Sequence, residues 1–168
     1  MKRNMDNVIT IDRFNKLTGR ETLHPLVGIV DLSPGRLHED LCQPCNFYAL
    51  ICNSGGVEPF TSFCLLCPGE MFRVPSMAHG GDGCYSGVLF HPDLLCDTPL
   101  ERHIGDYPAR CRCHGGLTER ERRIISTSLR EIDRELHHAI DRYSSTIIVS
   151  HIELLLNYCT RFCSEGRG

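Results

Sequence analysis

Apolar and polar positions follow two different rhythms along this chain. Over residues 8–110 the apolar residues come in short runs, at 26–32, 47–52, 63–67, 71–74 and 85–90, each ended by glycine, proline, asparagine or aspartate nearby. Short runs at close spacing predict β-strands of a sandwich or small barrel. The breaks carry turn chemistry: Ser33-Pro34-Gly35, Asn53-Ser54-Gly55-Gly56, Pro68-Gly69 and His79-Gly80-Gly81-Asp82-Gly83. From Leu117 onward proline disappears and glycine is absent until the last few residues. Thr118 followed by Glu121 has the spacing of a capping box, so a helix is expected to begin there. Ile125, Leu129, Ile132, Leu136 and Ile140 recur every three or four residues, as one buried stripe on a solvated helix requires. Residues 141–145 interrupt the stripe, and Ser144 or Ser145 is placed to cap a second helix running to Phe162.

The second helix is apolar around more of its circumference than one packing partner needs. Ile148, Ile152, Leu155 and Cys159 form one stripe; Leu154, Tyr158 and Phe162 form another. A surplus apolar face is larger than monomers usually expose, which predicts a homodimer, with Ile148, Ile152, Leu155 and Cys159 as its interface. The competing reading is a helix buried wholly within its own domain. No internal repeat or low-complexity segment is visible.

Charge and composition narrow the partners. The 168 residues carry 18 Lys plus Arg against 21 Asp plus Glu, a net charge of -3, and so exert no broad attraction on phosphate backbones. No apolar run approaches the roughly 18 residues of a membrane span, and Met1 to Asn7 lack the apolar stretch of an export signal. A cytoplasmic chain without membrane contact is expected. Eleven cysteines then pose a choice between disulfides, metal ligation and reduced thiols. Their odd number forbids complete intramolecular pairing, and a reducing compartment would keep most of them as free, buried, hydrophobe-like thiols.

Three stretches together resemble the sensing domains of AraC-type (AraC/XylS) transcription regulators. They are Arg13-Phe14-Asn15-Lys16-Leu17-Thr18-Gly19-Arg20-Glu21-Thr22-Leu23-His24-Pro25-Leu26-Val27, Leu89-Phe90-His91-Pro92-Asp93-Leu94-Leu95, and the segment from Ile147 to Phe162. Glu119-Arg120-Glu121-Arg122 fits the start of the helix preceding the last of these. The resemblance implies an α+β fold: a 1–12 tail, a cupin-like jelly-roll barrel over 13–110, and a helical dimerisation pair over 117–163. The barrel would sense a small-molecule effector. DNA would be contacted only through a C-terminal helix-turn-helix domain, which is absent from this chain. A stand-alone product of this kind could also inhibit full-length relatives by heterodimerisation. The link between Leu50 and Cys64 is shorter than the family pattern, which predicts a shortened barrel.

The residues offer little catalytic chemistry. A metal-dependent cupin enzyme needs several imidazoles gathered with a carboxylate, yet no His-x-His occurs, and His79, His91 and His103 lie far apart. No Gly-x-Ser-x-Gly, phosphate loop or nucleotide fingerprint is present, so no enzymatic activity and no resident cofactor are expected. The alternative function is a thiolate-based metal or redox sensor. Cys42-x-x-Cys45, with Cys111, Cys113 and His114, offers ligands for zinc or another soft metal. Cys64 and Cys67 share that spacing but fall in an expected strand, where residues three apart point to opposite faces. The acids of Glu131-Ile132-Asp133 and the bases at 120–123 read most simply as solvated helix faces.

Overall fold

The computed structural model describes residues 7–32, 41–53, 63–74, 85–111 and 117–165. In chain order these form α1 (Ile11–Leu17), β1 (Val27–Leu32), β2 (Leu41–Pro44), β3 (Tyr48–Asn53), β4 (Phe63–Leu66), β5 (Met71–Val74), β6 (Tyr85–Phe90), α2 (Pro99–His103), β7 (Arg110–Cys111), α3 (Glu119–Leu136) and α4 (Ser144–Glu165). A five-stranded antiparallel sheet runs β1-β6-β3-β4-β7, and β2 and β5 pair as a separate two-stranded ladder. The fold is thus α+β with antiparallel sheets ahead of a helix pair, as expected. The two ladders do not join into a closed barrel among the described residues, which departs from the jelly-roll expectation.

Period-two alternation on the large sheet divides the core. Val27, Ile29, Leu50, Cys52, Phe63, Leu65, Val88 and Phe90 face α3 and α4, while Val30, Leu32, Ala49 and Leu89 face the small ladder and α1. On that second side Phe72 is met edge-on by both Phe14 and Phe47, with ring centroids 5.6 and 5.4 Å apart. Three layers result: helices, large sheet, small sheet with α1.

Local chemistry explains the joints. Between β4 and β5 the turn Cys67-Pro68-Gly69-Glu70 closes with the Glu70 amide donating to the Cys67 carbonyl at 3.1 Å. Gly69 has φ +91°, so proline and glycine occupy the two central positions that a type II turn demands of them. His91 leads out of β6: its Nδ1 accepts from the Asp93 amide at 3.1 Å and caps a single 3-10 turn over Pro92–Leu95. The Thr118 capping box is present in full, with Glu121 donating its amide to the threonine hydroxyl and returning its carboxylate to the Thr118 amide. Such a cap contributes about 1 kcal/mol.

Three expectations about the ends of elements need correction. Ile140 lies beyond α3, which stops at Leu136, and is 61% exposed. Ser144 does not cap α4; it is the buried first residue of the helix, and its hydroxyl accepts from the Asp141 amide at 2.9 Å. The residues before 13 are only partly a tail. Ile9 is fully buried and bridges Cys45, and Thr10 caps α1 by accepting from the Arg13 amide at 3.1 Å. Residues 1–6 lie outside the described set.

Candidate functional site

The helix-facing side of β1, β6 and β3 and the inner face of α3 border a cleft of about 470 Å³. Ile29 on β1, Cys52 on β3, and Leu117, Ile125 and Leu129 on or beside α3 supply its apolar floor. Around it stand Arg20, Arg122 and Arg130 with Asp31 and Asp133, joined by the hydroxyls of Ser86 and Ser126. Asp31, Ser86 and Cys52 occupy one row of the sheet, since Asp31 pairs with Ser86 and Ser86 with Cys52. Volume, apolar floor and a few converging polar groups are the attributes of a small-molecule site. The five charges sum to one positive, so the rim favours an organic molecule with an anionic end.

Arg20 ties the rim to the strand. Its guanidinium donates to the Ile29 carbonyl at 3.3 Å and stands 3.8 Å from the Asp31 carboxylate. Arg122 and Asp133, expected to be ordinary solvated helix positions, instead line the cleft wall. Asp133 also lies 3.8 Å from His137 Nδ1 on the same helix.

A second, open groove of about 340 Å³ runs along the outer side of the hairpin between α3 and α4. Ile124, Leu154 and Tyr158 line it, with Arg120, Arg123, Glu131 and His151 at its margins. Leu154 is 47% exposed and nearby Ile147 38%. The stripe assigned to a subunit interface lies elsewhere. Ile148, Ile152, Leu155 and Cys159 are all completely buried, packed with Leu50, Val88 and Phe90 of the same subunit. They cannot meet a partner while the fold is intact, which corrects the assignment: of the two stripes, Leu154 and Tyr158 look outward, and Phe162 is buried.

The soft-metal ligand set is not assembled. Cys42 is exposed, Cys45 is buried, and Cys111 is joined to Cys163 in a disulfide; Cys113 and His114 lie outside the described residues. Among the described residues no three histidines, cysteines or acids gather where they could hold an ion. Of the expected pair in β4, Cys64 is half-buried on the strand and Cys67 is exposed beyond its end. His79 is outside the described residues, and His91 and His103 each sit beside an aspartate, Asp93 and Asp106.

Cys111 and Cys163 form a disulfide, while the other seven described cysteines are free thiols. The disulfide pins the end of α4 to β7 across a separation of 52 residues. Replacing both with alanine is expected to cost about 4 kcal/mol if closing that loop acts on the denatured chain's entropy. Urea unfolding reads this as a lower midpoint with a steeper slope, the latter from a more expanded denatured state. An unchanged midpoint would show that the bridge contributes nothing in solution.

His24, within the first resembling stretch, has a structural role. It is buried, and its Nδ1 accepts from the Leu26 amide at 3.0 Å. Burial lowers its pKa below the usual 6.5. The unfolded chain therefore takes up a proton near pH 6.5 that the folded chain declines, so this stabilising contribution is complete above 6.5 and is lost as pH falls toward the folded pKa. Urea midpoints measured from pH 8 to 5 are expected to fall below pH 6.5, and less steeply in His24→Asn.

No helix among the described residues is long and apolar enough to cross a membrane. No family model matches the chain, and no curated protein matches it.

Proposed function

We propose that this chain is a non-enzymatic, effector-sensing and dimerisation module of the AraC type, working as a homodimer in the cytoplasm. One observation carries the reading: α3 is shared by two surfaces. Its inner residues Ile125 and Leu129 wall the cleft, and its outer residues Ile124 and Thr127 wall the groove against α4. A small molecule held between sheet and helix would bear directly on the helix that a partner touches, which is the physical requirement for coupling two sites.

The dimer of this proposal forms through Ile147, Leu154 and Tyr158 rather than through the buried stripe. Amphipathic organic anions are the effector class that the floor and rim suit best.

A fragment screen followed by amide chemical-shift mapping tests the sensing half. Hits are expected to shift Ile29, Ser86 and Ile125 and to lose affinity in Arg130→Ala. Hits that never perturb those amides would remove the support. Sedimentation tests the other half: a dimer at tens of micromolar that becomes monomeric in Leu154→Asp is expected, and a monomer throughout overturns it.

A further inference from the structure

The arginines of α3 divide by their partners. Arg123 pairs with Glu119 at 2.9 Å and Arg134 with Glu131 at 3.1 Å, each about one turn away on the same helix. Arg122 and Arg130 line the cleft, and among the described residues neither has an ion pair or a side-chain hydrogen bond. Ser126, which also lines the cleft, stands between them in the sequence. The three recur at i, i+4 and i+8, so each follows the last by about one turn, roughly 6 Å along the axis. Two long, flexible cationic side chains therefore flank one hydroxyl on the wall of the cleft.

The rest of the rim leaves that spot positive. Arg20 is engaged elsewhere, donating to the Ile29 carbonyl and standing 3.8 Å from Asp31, so those two charges largely offset each other. Asp133 lies seven residues beyond Ser126, roughly 10 Å along the helix, which is close to the screening length of physiological salt. Its carboxylate stands 3.8 Å from His137, farther still along the chain. An anion resting on Ser126 thus meets two unpaired cations one turn away, while the acid that α3 contributes to the cleft sits at nearly twice that distance.

We infer that the cleft takes a phosphate monoester, its phosphoryl group seated on Ser126 between Arg122 and Arg130 and its apolar organic part lying on Ile29, Ile125 and Leu129. The inference rests on the reading of the cleft as a ligand site and narrows its ligand from organic anions in general. Charge and geometry choose phosphoryl over carboxylate. A phosphate monoester carries close to two negative charges at neutral pH, which two guanidiniums match. Its three terminal oxygens can accept from both forks and from the hydroxyl at once, whereas the two oxygens of a carboxylate are occupied by a single bidentate arginine. The floor chooses an ester over bare phosphate. Ile29, Ile125 and Leu129 form an apolar surface beneath the rim, and an organic group laid on it displaces water that an inorganic ion would leave in place.

Phenyl phosphate, benzoate and inorganic phosphate, each titrated into the isotope-labelled full chain and followed by amide chemical shifts, test the inference. Phenyl phosphate is expected to move the amides of Ile125, Ser126 and Leu129 and to bind roughly tenfold more tightly than either of the others, the worth of one good hydrogen bond to a charged group. Arg122→Gln and Arg130→Gln should each weaken it by roughly tenfold on the same scale. Arg134→Gln removes an equal charge from a paired position on the same helix and should change the affinity by less than about twofold. All three side chains are exposed, so the variants are expected to keep the native spectrum. Benzoate binding as tightly as phenyl phosphate at these amides would overturn the phosphoryl assignment and leave the cleft a ligand site. Inorganic phosphate binding as tightly as the ester would overturn it as well, as would an affinity untouched by both cleft variants. Silence from phenyl phosphate also sinks it, and the fragment screen then shows how far the failure reaches: hits at Ile29, Ser86 and Ile125 keep the sensing reading, and no hits there remove both.

Discussion

Ile152→Asp is expected to unfold the subunit. Ile152 is completely buried in the cluster that α4 shares with the sheet, between Ile148 and Leu155 one turn to either side. Losing the isoleucine forfeits its transfer free energy and leaves a cavity, and the carboxylate must either shed its charge or draw in water. The combined cost is about 5 kcal/mol or more, comparable with the whole stability of a typical domain. Far-UV circular dichroism at 25 °C should show loss of the native helical signal. Leu154→Asp supplies the contrast: with that side chain half-exposed, the change should stay within about 1 kcal/mol and leave the spectrum intact. A folded Ile152→Asp protein would contradict the packing of α4 described above.

Gly87→Ala should be nearly as damaging for a different reason. Gly87 lies at the middle of β6, which pairs with both β1 and β3. A Cβ there would lie 2.0 Å from the Leu50 carbonyl oxygen and 3.1 Å from the Ile51 Cα. Both are backbone atoms, so no rotamer change relieves the clash, and the strands must move apart at the expense of their ladder. Ordinary overpacking costs 1–3 kcal/mol; a backbone collision in a central strand places this substitution at about 4 kcal/mol. Chemical denaturation would measure it. A loss below about 1 kcal/mol would mean that β3 and β6 are not in this register.

The strands richest in apolar residues were legible because turn-forming residues mark their ends, and β5 and β6 fall where the runs of apolar residues predicted them. The two missed strands have reasons to be hidden. Leu41–Pro44 contains glutamine and proline, and Arg110–Cys111 is only two residues long, so neither shows an apolar alternation. Helix α1 was overlooked although Thr10 before Ile11 and Phe14 offered a cap and a short stripe. Its seven residues are too few for periodicity to stand out. On α4 the stripe of Ile148, Ile152, Leu155 and Cys159 holds together as one buried face, whereas Phe162 parts from Leu154 and Tyr158 and turns into the core. Periodicity groups residues on a face, but what covers each face depends on the sheet, whose position no single helix encodes. For the same reason the cleft was invisible: Arg20, Asp31, Ser86 and Arg130 come from separate segments that only the tertiary fold unites.

Among the described residues β1 is an end strand of the large sheet, with β6 as its strand partner. Arg20 donates to the Ile29 carbonyl, and His24 forms an isolated bridge with Val27 at the start of the same strand. Exposed strand margins are templates on which further chains can add, and charged cover is one way proteins prevent it. The guanidinium that frames the cleft thereby also occupies one acceptor of that margin. Cleft and strand margin thus share one side chain, so a charge change at Arg20 would alter both at once.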